Sequence, residues 1–114
     1  MSAVSLPIHL QRYATKVTGF AIRPRRVNHD GKVTVSGRLL QLTSKWLPDK
    51  GATITIEYRY KNKAYTRKRR LMTNSAGRFR GVFEVPRTAA WLAVYSGDQG
   101  HFAIASTSIR ITVR

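Results

Sequence analysis

The sequence predicts an all-β fold, a seven-stranded antiparallel β-sandwich, and three observations support this prediction. Seven segments are rich in β-branched and aromatic residues, and clusters of turn-forming residues separate them. Turns at intervals of about eight to twelve residues are typical of a sandwich. No segment keeps the apolar spacing of an amphipathic helix. The length of 114 residues fits one domain, which can bury a core without disulfide bonds.

Residues 90–113 give the clearest evidence for two neighbouring strands. The run 91–95 (Trp-Leu-Ala-Val-Tyr) is apolar at every position, which is typical of a central strand covered on both faces. A turn cluster follows at residues 96–100. In residues 109–113, Ile and Val alternate with Arg and Thr, which is the period of a strand buried on one face. We therefore expect two antiparallel neighbours joined by a loop.

Five earlier segments complete the predicted set of strands, because each combines β-favouring residues with alternation and ends at a turn signal. The alternation places Val35 and Ile54 on the inward side, and we expect them to be buried together with Trp91 and Tyr95. The five segments run from Thr15 to Arg23, Lys32 to Leu42, Ala52 to Tyr60, Ala64 to Thr73 and Arg78 to Val85.

Residues 1–14 are interpreted as an N-terminal edge strand or linker, and residues 15–114 as the domain. Apolar and polar residues alternate after Val4, but Pro7 has no N–H to donate to a ladder, which confines such a strand to a sheet edge. No run reaches the ~18 apolar residues of a membrane helix. The first residues lack the basic start and unbroken apolar stretch of a signal peptide. If the protein is secreted, we expect this chain to be a mature fragment or an excised domain.

Three stretches carry a resemblance to a known group of domains. The stretch 95–108 begins with Tyr-Ser-Gly-Asp, continues to Phe102 and ends in Ser-Thr-Ser; the earlier ones are residues 33–39 (VTVSGRL) and 74–79 (NSAGRF). In this order and spacing they resemble bacterial immunoglobulin-like domains, over about residues 15–114. The resemblance implies an immunoglobulin-like β-sandwich in a secreted or cell-surface protein. It implies no particular ligand, because such a fold carries many unrelated functions.

Net charge is the strongest functional signal in the composition. Twenty-one Lys and Arg residues face five Asp and Glu residues, a formal net charge of +16. Small soluble domains usually carry a magnitude of about 2 to 8, and a larger excess destabilises the folded state by self-repulsion. The excess favours an anionic partner: a cell-wall polymer, an acidic polysaccharide, nucleic acid or an anionic membrane surface. The alternative is solubility, or the Arg-rich composition of a GC-rich genome.

The segment from Arg59 to Arg70 is the strongest candidate for a binding site, and we call it the basic hairpin. Seven of its twelve residues are cationic and two are tyrosines, on two strands joined by a turn at residues 61–63. A positive ridge of this density matches the spaced phosphates or carboxylates of a polyanion. The alternative is that charges on an edge strand prevent edge-to-edge aggregation. The predicted polyanion-binding residues are Arg59, Lys61, Lys63, Tyr65, Arg67, Lys68, Arg69 and Arg70.

Two further features bear on this site. Trp46 lies in a loop beside Pro48, where an indole either caps one end of the core or offers a stacking surface to a sugar or a base. Trp91 is predicted to be core. Five arginines lie outside the hairpin at positions that the sequence does not relate to it: Arg23, Arg25, Arg26, Arg78 and Arg80.

The carboxylates and histidines form no recognisable catalytic or metal site in the sequence. Asp30, Asp49 and Asp98 each adjoin a glycine-containing turn, where a short carboxylate accepts backbone N–H groups. Glu57 and Glu84 are expected on outward faces, paired with arginines; a two-carboxylate glycosidase site is the weaker alternative. There is no cysteine, and the three histidines lack metal-ligand spacing. We therefore expect no enzyme, no cofactor and no metal.

The predicted function is non-enzymatic. We expect an immunoglobulin-like module of a secreted or cell-surface bacterial protein that binds a cell-wall polymer or an acidic polysaccharide through the basic hairpin. Three alternatives stay open at this point: an intracellular nucleic-acid-binding domain, a structural spacer between domains, and the targeting part of a secreted enzyme or toxin.

Overall fold

The computed structural model describes residues 12–114, which form ten β-strands and no helix. No helix in this range could therefore cross a membrane. The strands are β1 (Thr15–Arg23), β2 (Arg26–Val27), β3 (Gly31–Leu42), β4 (Trp46–Pro48), β5 (Thr53–Arg59), β6 (Thr66–Met72), β7 (Arg78–Val85), β8 (Ala89–Tyr95), β9 (Ile104–Ala105) and β10 (Ile109–Val113).

The first sheet is built around β3. Strand β1 pairs antiparallel with one edge of β3, from Arg23 opposite Thr34 to Thr15 opposite Gln41. Strand β7 pairs antiparallel with the other edge of β3, along residues 31–38. The short β4 pairs with the same edge of β3 further on, at residues 40–42. The register of β3 and β7 brings Arg38 directly opposite Arg78. The outer face of this sheet therefore collects residues from distant parts of the sequence.

The second sheet has the strand order β2-β10-β8-β5-β6, with β9 pairing to the end of β8. Strand β6 lies at the edge and pairs only with β5. Strands β2 and β10 pair in parallel, whereas the other neighbours in the sheet are antiparallel. The basic hairpin therefore forms one border of this sheet.

The two sheets share one hydrophobic core. The rings of Phe83 on β7 and Trp91 on β8 have centroids 5.7 Å apart, which joins the inner faces of the two sheets. The predicted burial of four core residues is confirmed, since Val35 and Ile54 are 0% exposed, Trp91 is 1% exposed and Tyr95 is 5% exposed. Burial of large apolar side chains from both sheets is the main stabilising contribution to such a fold.

The structure corrects three expectations about the strands. Seven strands of five or more residues lie where the sequence predicts them, but the count of seven is wrong, because β2, β4 and β9 add three strands of two or three residues. The pairing is not wholly antiparallel, because β2 runs parallel to β10. Strand β8 is central in its sheet, but Leu92 and Val94 on its outer face are only half-buried. Covering helices or sheets on that face are absent from residues 12–114.

The prediction for the N-terminal edge strand or linker, residues 1–14, lies mainly outside the described residues. Within the described part, Tyr13 forms an isolated parallel bridge with His101. The Tyr13 N–H donates to the carbonyl of Gly100 at 2.7 Å, and the Phe102 N–H donates to the carbonyl of Tyr13 at 3.0 Å. These bonds attach the start of the described chain to the loop that follows β8.

Candidate polyanion-binding site

The basic hairpin is formed by β5, β6 and the turn between them. The Lys63 N–H donates to the Tyr60 carbonyl at 3.0 Å, which closes the turn. Asn62 takes a left-handed conformation with φ 61°, which asparagine tolerates better than most residues. The predicted turn at residues 61–63 is therefore confirmed. It leaves Lys61 and Lys63 exposed at the tip.

Two arginines of β6 lie on the outer face of the second sheet. Side chains alternate along β5, where Ile54 is buried and Thr55 points to the other face. Directly opposite residues of an antiparallel pair project from the same face. Arg70 is opposite Thr55 and Arg67 is opposite Glu57, so both arginines point outward, and both are exposed.

The other two cations of β6 point towards the first sheet. The guanidinium carbon of Arg69 lies 4.4 Å from the ring centroid of Phe83, and its Nη2 donates to the Val82 carbonyl at 3.3 Å. The Nζ atom of Lys68 lies 5.9 Å from the ring centroid of Tyr58. Arg69 therefore bridges from β6 to β7 and covers the side of the core between the two sheets. It contributes to packing as well as to surface charge.

Arg59 extends the site across the sheet to Arg110, a residue that the sequence did not assign to the site. Arg59 is opposite Ala90 on β8, and Ala90 is opposite Arg110 on β10. The two arginines therefore flank a small side chain on the outer face, at a cavity of about 370 Å³ that also includes Lys61. The Arg59 guanidinium lies 5.2 Å from the ring centroid of Tyr65, which is half-buried.

None of these cations is neutralised by a carboxylate. Among residues 12–114, which contain all 21 Lys and Arg residues, no Lys or Arg lies within 4.0 Å of a carboxylate oxygen. The close charge pairs in this range all involve His29 or His101. The expected pairing of Glu57 and Glu84 with arginines is therefore wrong at this distance, although Glu57 is in register with Arg67.

Trp46 is not part of the same site. Trp46 is in β4, where it pairs with Leu42 of β3, and it is 37% exposed. The Nζ atom of Lys16 lies 4.2 Å from the centroid of the indole ring. Neighbouring Gln41 contacts His101 in the loop after β8, whereas the hairpin tip lies near the opposite, N-terminal end of β8. The indole and the tip of the basic hairpin therefore lie at opposite ends of the molecule, and Lys16 already covers part of the indole.

A polar network holds the loop after β8. Asp98 Oδ1 accepts the Gly100 N–H at 2.7 Å and lies 2.8 Å from His101 Nδ1, while the Tyr95 hydroxyl donates to Asp98 Oδ2 at 3.2 Å. The hydrogen bond from His101, assisted by that from Gly100, lowers the pKa of the Asp98 carboxyl. Asp98 thus stabilises the turn, as its position beside glycines predicts.

His101 connects this loop to the first sheet. Its Nε2 lies 2.8 Å from Gln41 Oε1 and 3.8 Å from Asp49 Oδ2. Burial raises the pKa of the Asp49 carboxyl, with a further rise from the Asp98 charge that the His101 charge opposes. Burial and the two carboxylates also raise the pKa of Tyr95. In the described range, no three His, Cys, Asp or Glu side chains are arranged to hold a metal ion.

A second group of cations lies on the outer face of the first sheet. Arg78 and Arg80, which the sequence could not place, point outward from β7 and are joined there by Arg38 of β3. These residues are remote from the tip of the basic hairpin. Nothing in the sequence indicated that Arg38 belongs to this group, because the residues next to it in the sequence are uncharged and the β3–β7 register determines its neighbour Arg78.

No protein-family model matches the chain, and no curated protein matches it. The charges and contacts described above are therefore the basis for a function.

Proposed function

We propose that the protein is a non-enzymatic immunoglobulin-like module of a secreted or cell-surface bacterial protein, and that it binds an anionic polymer through the basic hairpin. The observation that carries this proposal is the exposure of the hairpin cations without any carboxylate partner among residues 12–114. The ligand class is a cell-wall polymer or an acidic polysaccharide.

Electrostatics supports a polyanionic ligand. Like charges held on one hairpin repel one another, and this repulsion destabilises the folded state until counter-ions or a ligand offset it. A polymer with spaced anionic groups releases its own condensed counter-ions when it meets such a surface, which favours binding. Lys61 and Lys63 at the tip and Arg67 and Arg70 on the outer face are all exposed and free to make such contacts.

The outer face of the second sheet offers a path for the polymer. A cavity of about 400 Å³ lies between β6 and the loop after β8, and Arg67 and Arg70 form one side of it. Only two carboxylates line it, those of Glu57 and Asp98. Hydroxyl groups available there for hydrogen bonds to sugars or polyols are those of Thr53, Thr55 and Ser96.

The strand arrangement supports the immunoglobulin-like part of the proposal. In the seven-stranded form of that fold, the first, second, fourth and fifth strands lie in one sheet and the third, sixth and seventh in the other. Six of the seven longer strands follow this division: β1, β3 and β7 lie in the first sheet, and β5, β8 and β10 lie in the second; the fourth, β6, lies in the second sheet instead. Strand β6 extends the second sheet, as in the variants with an additional strand there.

A polyanion without bases is favoured over single-stranded nucleic acid by the surroundings of Tyr65. Stacking of bases on exposed aromatic rings is the usual contribution of tyrosine to single-strand binding. The ring of Tyr65 is half-buried and already carries the Arg59 guanidinium. A base would have to displace that guanidinium before it could stack.

Binding of matched charge variants tests the proposal. The hairpin variant replaces Lys61, Lys63 and Arg67 with Gln, and the control variant replaces the exposed Lys32, Lys45 and Arg23 with Gln, so both lose three charges. Arg69 stays unchanged because it packs on Phe83. Affinity for a teichoic-acid preparation, heparin and duplex DNA is measured at low salt for both variants and for the wild type.

We expect the hairpin variant to lose affinity for the polymer by at least tenfold more than the control variant, because only its lost charges lie on the proposed site. A preference of the wild type for the wall polymer or heparin over DNA supports the surface module, and a preference for DNA indicates the nucleic-acid-binding alternative. Equal affinities of the two variants would contradict the proposal and would indicate that the charges of β6 prevent edge-to-edge aggregation instead.

A further inference from the structure

The outer face of the first sheet contains a cavity of about 670 Å³ with cationic walls. Small residues of β1 and β3, including Gly19 and Ser36, line part of it. Three arginines, Arg38, Arg78 and Arg80, line it, and no carboxylate does. The cavity can therefore accept an anion from solution, because no carboxylate of its own lining balances the three arginines.

The strand register groups the polar side chains of this cavity. Arg38 is directly opposite Arg78, and Ser36 is directly opposite Arg80. Thr18 of β1 is opposite Arg38 on its other side. Like charges directly opposite each other on one face of a sheet are destabilising. A bound anion would offset this repulsion, which no carboxylate in the described chain does.

The Arg38 guanidinium is held in place before any ligand arrives. Its Nε donates to the Ala76 carbonyl at 2.8 Å, and the residue is half-buried. The turn that presents this carbonyl is fixed by Asn74, whose Oδ1 accepts the N–H groups of Ala76 at 2.9 Å and Arg78 at 3.0 Å. The two terminal nitrogens of Arg38 stay available, and this bond reduces the entropy that the side chain would lose when an anion binds.

We infer that this cavity is a second anion site, which binds one tetrahedral oxyanion, a phosphate or sulfate group. Guanidinium groups bind such oxyanions through paired N–H···O bonds, and the hydroxyls of Ser36 and Thr18 supply further donors. The group is either free in solution or borne by a polymer. The site stands apart from the proposed function of the basic hairpin, because β1, β3, β7 and the turn before β7 form it and β6 contributes Met72, which follows the hairpin.

The test is titration of the whole chain with inorganic phosphate, sulfate and acetate, followed by backbone amide NMR shifts. Arg78→Gln is the test variant, because Arg78 is exposed and its side chain has no partner to lose among residues 12–114. Arg23→Gln is the matched control at another exposed position of the same sheet. The hairpin variant defined above is titrated in parallel.

We expect saturable shifts at Ser36 and Gly37 with phosphate and sulfate, and weaker ones with planar acetate. Arg78→Gln should weaken phosphate binding by about tenfold, as the loss of charge-assisted hydrogen bonds predicts, whereas Arg23→Gln and the hairpin variant should keep it. Loss of wall-polymer affinity in Arg78→Gln would show that the group is polymer-borne, and loss of phosphate affinity alone would show a free ion. Shifts that do not saturate, equal shifts with acetate, or an unchanged affinity of Arg78→Gln would overturn the inference.

Discussion

Replacement of Thr73 by valine should destabilise the base of the basic hairpin. Thr73 follows β6 and is 5% exposed. Its hydroxyl donates to the Asp49 carbonyl at 2.6 Å and accepts the Ala52 N–H at 2.8 Å. These two bonds connect the end of β6 to the loop that leads into β5.

The magnitude follows from the two groups that lose their partner. Valine has nearly the shape of threonine and an equal preference for extended backbone, so Thr73→Val removes the hydroxyl with little other change. The Asp49 carbonyl and the Ala52 N–H are then left buried, and each unsatisfied buried group costs about 1–3 kcal/mol. The expected loss in the free energy of unfolding is about 2–6 kcal/mol, a large part of the ~5–15 kcal/mol that stabilises a typical domain.

Urea denaturation followed by the fluorescence of buried Trp91 measures this loss. Thr73→Ser is the matched control, because it keeps the hydroxyl and removes one methyl group, which should cost about 1 kcal/mol. The slope of free energy against urea should be equal for all three proteins, so that midpoints report stability alone. A Thr73→Val protein within about 0.5 kcal/mol of the wild type would refute the reasoning that the hydroxyl satisfies these two groups.

Three further predictions follow from the core and the turns. Trp91→Ala should lower the free energy of unfolding by about 3–5 kcal/mol through the cavity it leaves, which urea denaturation measures. Gly77→Ala should lower the melting temperature more than Gly51→Ala: both residues have left-handed φ, +76° and +69°, but a Cβ at Gly77 would lie 2.5 Å from a backbone oxygen of β3 and a Cβ at Gly51 meets nothing within 4 Å. Folding lowers the pKa of Asp98, so the stability that its carboxylate contributes is present above the unfolded pKa near ~3.9 and is lost as the pH falls through the folded pKa. Asp98→Asn lacks this carboxylate. Between about pH 6 and pH 2, the melting temperature of the wild type should therefore fall more steeply than that of Asp98→Asn.

The long strands were predictable because each shows its own period. Alternation and turn residues are local properties, so β1, β3 and β5 could be placed from the sequence alone. Strand β2 could not, because its two residues, Arg26 and Val27, show no period and are extended by pairing with Thr112 and Val113 at the other end of the chain. Short strands of this kind are determined by tertiary contacts.

The composition of the basic hairpin predicted a charged site but not its division into two faces. Strict alternation would place Arg67 and Arg69 on the same face of β6. A bulge shifts the register between Ile56 and Glu57, so Arg67 points outward whereas Arg69 packs on Phe83. A shift of one residue moves a side chain to the opposite face of the sheet, and nothing in the sequence indicated the bulge that causes the shift here.

The cluster around Arg38 shows a different limit of sequence reasoning. Arg38 and Arg78 are forty residues apart in the sequence and belong to strands that were each predicted correctly. Their juxtaposition depends on which strands pair and in which register, which one sequence does not state. The Nε bond of Arg38 to Ala76 likewise depends on the position of the turn before β7.

The most direct test of polyanion binding by the basic hairpin is the salt dependence of affinity for a phosphate-bearing wall polymer. Each phosphate contact to a nucleic acid contributes roughly −0.7 to −0.9 to the slope of log affinity against log salt, and we expect a similar slope for a polymer with similarly spaced phosphates. Loss of Lys61, Lys63 and Arg67 should therefore make the slope shallower by roughly 2 to 3 units, while the control variant should keep the slope of the wild type. Slopes that are equal for the wild type, the hairpin variant and the control variant would contradict the assignment of these cations to ligand binding.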